Sequence, residues 1–305
     1  MKKTLLIMGL ATLLLTVSMV TGCNQSEVAS GSGEENLAAD EAEVKTAQVG
    51  DIEMAYKVLG DGYPLVMIMG YSGTMDLWDP QFLENLASQY QVIVFDNRGM
   101  GDTTTGTKEF TMEQFAEDTA GLMDVLGIGR AHVLGWSMGT NIAQEVALRH
   151  PDKVSKLVLY AADCGGEQAV LPSPEVMEEL TDTSGTAKER GERLFKLLFP
   201  EEWLQRYPDF YKQFPKPNEK TSPENIERQT QAMEKWPGTY DRLPDIRSST
   251  LVATGTEDVL TPPQNSLIII NRIPGAWLVQ IEGAGHGLMY QFPDRLASII
   301  SEFLE

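Results

Sequence analysis

The sequence predicts an α/β fold built on a mostly parallel sheet with helices on both faces. Short apolar runs alternate with amphipathic stretches from Val44 onward, and most of these runs contain almost no polar residue. Uninterrupted apolar runs are typical of strands that are covered on both faces. Strands that alternate with helices favour parallel pairing, with each helix crossing over the sheet.

The first 23 residues precede this pattern and have a different character. A basic start at Lys2 and Lys3 is followed by an apolar run and a small-residue end, which is typical of a secretory signal. The uncharged run from Thr4 to Val20 leaves a transmembrane anchor as the alternative by length. The segment VTGC, which ends at Cys23, resembles the lipobox of bacterial lipoproteins. This resemblance implies a signal peptide over residues 1–22.

The same resemblance implies that Cys23 carries lipid and ties the protein to a membrane. We expect this anchor on the extracytoplasmic face of the cell envelope. Cys23 and Cys164 are the only cysteines, so lipidation leaves one thiol and no intrachain disulfide. Residues 23–43 are rich in Ser, Gly, Ala and acids and have no aromatic residue, which predicts a flexible acidic tether. Residues 44–305 then form the folded domain.

The formal net charge of −20 limits the possible partners. Phosphates would be repelled, and no Lys/Arg-rich run offsets that, so a nucleic-acid partner is not expected. A well-solvated acidic surface is the simplest explanation of the charge. So acidic a chain gains nothing from anionic lipid, which leaves the lipid on Cys23 as the expected membrane attachment.

The strands and helices of the folded domain can be placed in order. The expected strands are VKTAQV, IEMAYKVL, PLVMIMG, QVIVFD, AHVLGW, KLVLYA, STLVATG and AWLVQIEG. The first two are expected to pair antiparallel around Gly50 and Asp51. The expected helices are Pro80–Ser88, Met112–Leu126, Thr140–Arg149, Pro263–Ile270 and Pro293–Leu304.

One long interval, residues 164–240, contains no strand-like run. The amphipathic stretches AKERGERLFKLLF and SPENIERQTQAMEKW predict a helical insertion there. Ligands of such sheets bind outside the carboxyl ends of the strands. We therefore expect a cap, or lid, over that edge rather than a separate domain.

Ser137 lies in the stretch VLGWSMGTN, between an expected strand and an expected helix. The spacing G-x-S-x-G arises by chance in roughly one chain in ten of this length, so its context decides its meaning. On a tight strand-to-helix turn, Gly135 and Gly139 avoid collisions with the neighbouring helix and strand. The helix N-terminus adds positive potential where an oxyanion would form. The pattern predicts a nucleophilic serine.

Together with four further motifs, this turn resembles the α/β-hydrolase superfamily, in its lidded esterase, lipase and peptidase branch. FDNRGMGDT matches the D-x-R-G-x-G-x-S loop with Thr103 in the last place, and MGYSGTMDLW matches the H-G-x₇-W loop. GTEDVLTPP matches the acid loop, and GAGHGLMYQFPDRLASIISEFL matches the terminal histidine segment. The likeness covers Val44 to Glu305 and implies the α/β-hydrolase fold.

A serine hydroxyl needs a base, and the chain has three histidines. His132 lies inside an expected strand and His150 ends an expected helix. His286 follows a strand in the glycine-rich turn GAGHG, so elimination and resemblance both favour it as the base. The resemblance implies Asp258 as the acid that orients His286.

Two rivals for the acid remain open, namely Glu257 beside Asp258 and Asp163 after the strand KLVLYA. The resemblance implies that the backbone N–H groups of Met138 and Tyr71 form the oxyanion hole. Met69 stands where histidine is common in the family, which leaves open how that loop is braced.

Other conspicuous residues have simpler explanations. Asp96 and Arg98 are expected to brace the sheet edge rather than take part in chemistry. Trp203 and Trp236 are consistent with an acyl pocket or with lid packing alone. Cys164 is expected to be a small buried residue.

The function implied is hydrolysis of a carboxylic ester, a small-molecule acyl substrate, through an acyl-enzyme formed by a Ser137–Asp258–His286 triad. No cofactor is expected, because no H-E-x-x-H, C-x-x-C or nucleotide-binding G-x-x-x-x-G-K-[ST] spacing occurs. Serine at the turn argues against haloalkane dehalogenases and epoxide hydrolases, which have aspartate there.

Two alternatives to the esterase remain. The first is a proline-releasing aminopeptidase, for which the lid acids Glu178, Glu179, Glu201 and Glu202 would hold a free amine. The second is a surface ligand-binding lipoprotein that keeps the triad without turnover.

Overall fold

A computed structural model describes residues 42–182, 184–215 and 220–305. The predicted signal peptide, Cys23 and most of the predicted tether lie outside the described residues. The division of the chain into signal, tether and capped domain therefore stays a prediction. In the three described ranges no helix is long and apolar enough to cross a membrane.

Eight strands form one sheet. They are β1 (Lys45–Val49), β2 (Ile52–Leu59), β3 (Tyr63–Ile68), β4 (Tyr90–Phe95), β5 (Ala131–Trp136), β6 (Val154–Tyr160), β7 (Ser249–Gly255) and β8 (Trp277–Ile281). Their order in the sheet is β1-β2-β4-β3-β5-β6-β7-β8. β2 is antiparallel to β1 and to β4, and every other neighbouring pair is parallel. The predicted mostly parallel sheet is confirmed.

Ten α-helices are described. They are α1 (Pro80–Ala87), α2 (Met112–Val125), α3 (Met138–Arg149), α4 (Pro174–Thr181), α5 (Ala187–Leu198), α6 (Glu201–Arg206), α7 (Pro223–Lys235), α8 (Gln264–Ile270), α9 (Leu288–Gln291) and α10 (Pro293–Leu304). Two apolar cores lie on opposite faces of the sheet. Alternate strand residues supply them, with Leu65 and Met67 in one core and Val66 and Ile68 in the other. α1 and α10 cover the first face, and α2 and α3 cover the second.

Four helices, α4 to α7, lie between β6 and β7, and the described residues of this interval contain no strand. α7 packs against the body of the protein, with Ile226, Gln229 and Thr230 buried. At its C-terminal end the indole of Trp236 donates a 2.8 Å hydrogen bond to Glu145. α4 has no buried residue. α7 is therefore held to the body more closely than α4.

Candidate active site

The loops that carry the predicted site residues all leave the carboxyl ends of parallel strands. Tyr71 follows β3, Ser137 follows β5, Asp258 follows β7 and His286 follows β8. The loop after β3 approaches the serine closely, because a Cβ atom built on Gly70 would lie 3.2 Å from Cβ of Ser137. This edge is where an open parallel sheet binds its ligands.

Ser137 occupies the turn between β5 and α3 with a backbone that other residues rarely adopt. Its φ is 55° and its ψ is −125°, so a non-glycine residue lies in a positive-φ region. Such a conformation costs of order 1–3 kcal/mol and persists only where its surroundings impose it. The Ser137 N–H donates to the carbonyl of Tyr160 at 3.0 Å, and its carbonyl accepts from the N–H of Thr140 at 2.8 Å. The turn therefore presents this side chain at the sheet edge.

The glycines that flank Ser137 are required by close packing. A Cβ atom on Gly135 would lie 2.3 Å from the carbonyl oxygen of Gly139. One on Gly139 would lie 2.1 Å from the carbonyl oxygen of Ile68. Both contacts are with backbone, which has no rotamer through which to yield, so no larger residue fits either position.

The imidazole of His286 is held by Asp258. Nδ1 of His286 lies 2.9 Å from Oδ2 and 3.1 Å from Oδ1 of the carboxylate. Oδ1 also accepts from the backbone N–H groups of Leu260 and Thr261 at 3.0 and 2.8 Å. His286 and Asp258 are 4% and 3% exposed, so little water competes for these bonds. An imidazole held through Nδ1 presents Nε2 as its basic atom.

Trp136, the residue before Ser137, connects the serine turn to the histidine loop. Its indole N–H donates to the carbonyl of His286 at 3.3 Å, and the two ring centroids lie 5.7 Å apart. Tyr160 donates to the same carbonyl at 2.6 Å, and its ring stacks on that of Trp136. The structure therefore brings Ser137, His286 and Asp258 to one edge.

The rival acids have other surroundings. The Asp163 carboxylate accepts from the N–H of Gly165 at 2.7 Å and from Asn141 at 3.3 Å, and burial raises its pKa. Glu257 is exposed. Of the three candidate acids, Asp258 is the one whose carboxylate oxygens lie within hydrogen-bond distance of Nδ1 of His286.

The two remaining histidines lie away from this arrangement. His132 lies in β5 between the rings of Tyr63 and Tyr90, and burial lowers its pKa to about 4. His150 follows the last residue of α3, with Nε2 3.1 Å from a carboxylate oxygen of Glu117.

The two predicted oxyanion donors belong to adjacent loops. Met138 is the first residue of α3, so its N–H has no acceptor within the helix. Tyr71 follows Gly70, and its phenol lies 2.7 Å from the hydroxyl of Thr230 on α7. The N–H of Ser72 donates to the side-chain oxygen of Gln229 at 2.6 Å. The motifs in the sequence did not indicate these two contacts from α7.

The departure from the family pattern at Met69 has a structural explanation. The carbonyl of Met69 accepts from the Asn97 amide at 3.1 Å. Asp96 accepts from the N–H of Met75 at 2.7 Å and from that of Asp102 at 2.9 Å. Burial raises the pKa of Asp96 to about 6. The loop after β4 thus braces the loop after β3 without a histidine.

Arg98 and the conspicuous cap residues also have structural partners. Arg98 is fully buried and bonds Asp118 and Asp51, with its closest contact at 2.7 Å. The thiol of Cys164 is buried, and burial raises its pKa to about 11, so it stays protonated. Trp203 stacks on Phe199 with ring centroids 4.9 Å apart.

The helical segment between β6 and β7 also contacts the histidine loop directly. The N–H of Gly287 donates to the carbonyl of Leu198 at 2.9 Å, and a Cβ on Gly287 would lie 2.4 Å from the ring of Phe199. Phe199 belongs to a cluster of aromatic rings, defined here as Phe195, Phe199, Trp203, Phe210, Phe214 and Tyr290. Over the part of the chain that the structure describes, no group of three or more His, Cys, Asp or Glu residues is arranged to hold a metal ion.

Comparison with known proteins agrees with this architecture. Residues 63–293 match the sequence model of the alpha/beta hydrolase fold family, and the chain belongs to that family. RutD of Azorhizobium caulinodans, a protein assigned as a carbamate hydrolase, is 28% identical over 268 residues, which cover 81% of this chain and 93% of the relative.

Two solved structures extend the likeness. A thermophilic esterase from Thermogutta terrifontis is 27% identical with a TM-score of 0.72, covering 86% of this chain and 98% of the esterase. A bacterial membrane phospholipase A is 27% identical with a TM-score of 0.66, covering 86% of each chain. These three relatives therefore share hydrolase chemistry.

Proposed function

We propose that this protein hydrolyses carboxylic esters through an acyl-enzyme intermediate on Ser137. The observation that carries the proposal is the buried hydrogen bond between Asp258 and Nδ1 of His286, on the sheet edge where the strained Ser137 turn lies. An imidazole oriented by a carboxylate and a serine on such a turn are the groups that acyl transfer needs. The likeness to an esterase supports this substrate class.

In the proposed reaction, Nε2 of His286 takes the hydroxyl proton as Oγ of Ser137 attacks the ester carbonyl carbon. The carbonyl oxygen becomes an oxyanion, which the N–H groups of Met138 and Tyr71 stabilise. Collapse of this intermediate breaks the ester C–O bond, and His286 gives its proton to the departing alcohol. Water, deprotonated by His286, then attacks the acyl carbon, and the acid leaves as Ser137 regains its proton.

The aromatic cluster supports an ester with an apolar group. Its rings include Phe199, which packs on the histidine loop, and Tyr290, whose ring lies 6.3 Å from that of Trp136. Apolar walls beside a few placed polar groups are typical of small-molecule sites. We expect kcat/KM to rise from acetate to longer p-nitrophenyl acyl esters. A series that is flat or falls with chain length would contradict this preference.

The likeness to RutD supports a second candidate, hydrolysis of a carbamate. A carbamate carbonyl passes through the same tetrahedral intermediate, so Ser137 and the two N–H donors would serve it equally. Turnover of a p-nitrophenyl ester, a matched aryl carbamate and a proline arylamide by one preparation separates the candidates. Faster cleavage of the carbamate or of the arylamide would reject the ester proposal.

Covalent labelling tests whether the protein is an enzyme at all. A fluorophosphonate is expected to modify Ser137 in the wild-type protein and to leave Ser137→Ala unlabelled. Ser72→Ala is the matched control, because this second serine near the site also has a positive φ. Folded wild-type protein that resists labelling would reject the acyl-enzyme and favour a ligand-binding role.

We further propose that lipid on Cys23 anchors the protein to a membrane, on the extracytoplasmic face of the cell envelope. The sequence VTGC supports this, and the acidic surface gives the protein no other affinity for anionic lipid. Expressed in a bacterial host, the wild-type chain should fractionate with membranes, and Cys23→Ala should not be lipidated. Cys164→Ala is the control. Equal lipidation of all three proteins, or no lipidation of the wild-type chain, would contradict the anchor.

A further inference from the structure

A residue pair on the cap helix α7, Gln229 and Thr230, holds the loop that carries one proposed oxyanion donor. Ser72 donates its N–H to Oε1 of Gln229 at 2.6 Å, and the Tyr71 phenol lies 2.7 Å from Oγ1 of Thr230. More than 150 residues separate each pair in sequence, since the two separations are 157 and 159. Two successive residues of the loop are thus bonded to two successive residues of the cap.

The hydroxyl of Thr230 has a second contact within its own helix. It lies 3.1 Å from the carbonyl of Ile226, to which it can donate, and either hydroxyl can be the donor in the bond between Tyr71 and Thr230. Burial raises the pKa of Tyr71 to about 12, so the phenol keeps its proton at neutral pH.

The amide of Gln229 is used for the bond to Ser72. Its side chain is fully buried, and Nε2 has no hydrogen-bond partner in the described ranges. Without the Gln229 oxygen, the buried N–H of Ser72 would lose its described acceptor, which costs about 1–3 kcal/mol. The side chain makes one described hydrogen bond, and that bond positions the backbone of Ser72.

The loop that these bonds hold is under backbone strain and lies close to the nucleophile. Ser72 has a φ of 54°, which a non-glycine residue adopts only under constraint. Gly70, two residues earlier, approaches Ser137 so closely that a Cβ on it would lie 3.1 Å from the carbonyl of Trp136. The two hydrogen bonds fix the Tyr71 side chain and the peptide group between Tyr71 and Ser72. The direction of the Tyr71 N–H is thereby fixed as well.

α7 itself is bonded to the body at both ends. Near its start, Asn225 donates to the carbonyl of Gly99 at 2.9 Å, and Thr221 accepts from the N–H of Gly101 at 2.8 Å. After its end, Trp236 bonds Glu145. Because α7 is hydrogen-bonded to the body at both ends, its central residues Gln229 and Thr230 have a fixed position from which to hold the loop.

We propose that Gln229 and Thr230 are positioning residues that aim the Tyr71 N–H at the developing oxyanion, so that α7 is a fixed part of the catalytic machinery. The inference rests on the proposed acyl-transfer function. It assigns α7 a role in transition-state stabilisation, because a displaced donor weakens binding of the oxyanion more than binding of the substrate.

The test compares Gln229→Met and Thr230→Val with Gln231→Met, all purified and checked for native circular dichroism and melting temperature. Met keeps the length of Gln without its acceptor, and Gln231 is an exposed residue of the same helix that bonds Glu227. We expect kcat for a p-nitrophenyl ester to fall about 10- to 100-fold in the first two variants, with KM within about threefold. Gln231→Met and the conservative Thr230→Ser should match the wild type.

A transition-state analogue separates positioning from simple loss of fold. An alkyl boronic acid, which forms a tetrahedral adduct with the serine, should bind Gln229→Met and Thr230→Val more weakly by the same factor as kcat falls. Inhibition by the alcohol product should not change.

If kcat of Gln229→Met and Thr230→Val lies within about twofold of that of Gln231→Met, the positioning role is overturned. A lower kcat with unchanged affinity for the boronic acid would also overturn it. Ester turnover that depends on Ser137 would then leave the proposed function standing. Wild-type protein without turnover would overturn both.

Discussion

The phenol of Tyr160 donates a 2.6 Å hydrogen bond to the backbone carbonyl of His286. The phenol oxygen also accepts from the N–H of Met289 at 3.1 Å, so Tyr160 bonds the chain at His286 and again three residues later. Tyr160 is fully buried at the end of β6, and burial raises its pKa well above the usual range. β6 therefore positions the main chain of the proposed base through Tyr160, while Asp258 orients the ring.

This relationship predicts the effect of Tyr160→Phe. The change leaves the buried N–H of Met289 without this acceptor, and the carbonyl of His286 keeps only its 3.3 Å bond from Trp136. We therefore expect a loss of about 1–3 kcal/mol in the free energy of unfolding and a lower kcat for ester hydrolysis. Tyr290→Phe is the control, since its hydroxyl donates to the carbonyl of Leu77 and not to the histidine loop. Urea unfolding and steady-state kinetics measure both effects. Equal kcat in the two variants would contradict the role of Tyr160.

The pairing of Asp258 with His286 predicts a strong contrast between two acids. Asp258→Asn should lower kcat by about 10⁴, because the amide no longer stabilises the imidazolium or its required tautomer. Asp163→Asn should keep kcat within about tenfold, because the Asp163 carboxylate bonds Gly165 and Asn141. Esterase assays on both variants check this. The opposite ranking would move the acid to Asp163.

The packing behind the serine turn predicts that Gly139→Ala is not tolerated. The new Cβ would lie 2.1 Å from the carbonyl oxygen of Ile68, so strand and helix must separate. We expect a loss of at least about 1–3 kcal/mol in unfolding free energy, together with loss of fluorophosphonate labelling. In Gly129→Ala the Cβ meets nothing within 4 Å, and its stability should stay within about 1 kcal/mol of wild type. Equal stability of the two variants would show that the turn has more room than this geometry allows.

Burial of His132 predicts part of the acid sensitivity of the fold. Desolvation, and then Lys156 and Arg130, lower its pKa from 6.5 to about 4. Between these pH values the unfolded chain binds the proton and the folded chain does not, so stability falls as the pH falls from 6.5 to 4. At pH 5 this amounts to about 2 kcal/mol. His132→Phe should therefore lose about 2 kcal/mol less than wild type between pH 7.5 and pH 5, as measured by urea unfolding. Parallel pH profiles would contradict this prediction.

The sequence patterns predicted the sheet well, because strands covered on both faces have little choice of residue. All eight predicted runs became strands, and the turn at Gly50 and Asp51 joins β1 to β2 with Val49 opposite Ile52. Helix boundaries were less certain: α3 begins at Met138 instead of Thr140. Its first residues belong to the serine turn, where the tertiary constraint on Ser137 determines the backbone.

Three short helices, α4, α6 and α9, were not predicted. α9 spans Leu288–Gln291, and four residues are too few for a periodic pattern. The contacts of Gln229 and Thr230 with the loop after β3 could not be predicted from the sequence for another reason. Gln229 belongs to a charged amphipathic helix, where a glutamine usually faces water, and only the tertiary fold places it against Ser72. Contacts between residues so far apart in sequence leave no local signal.

The helices between β6 and β7 are attached unevenly, and this has an evolutionary consequence. α4 has no buried residue, so its sequence can drift at little cost to the fold. Gln229 and Thr230 on α7 have no such freedom, because a substitution at either must preserve a hydrogen bond to the loop beside Ser137. Descendants of this chain should therefore vary in α4 while conserving these two residues of α7.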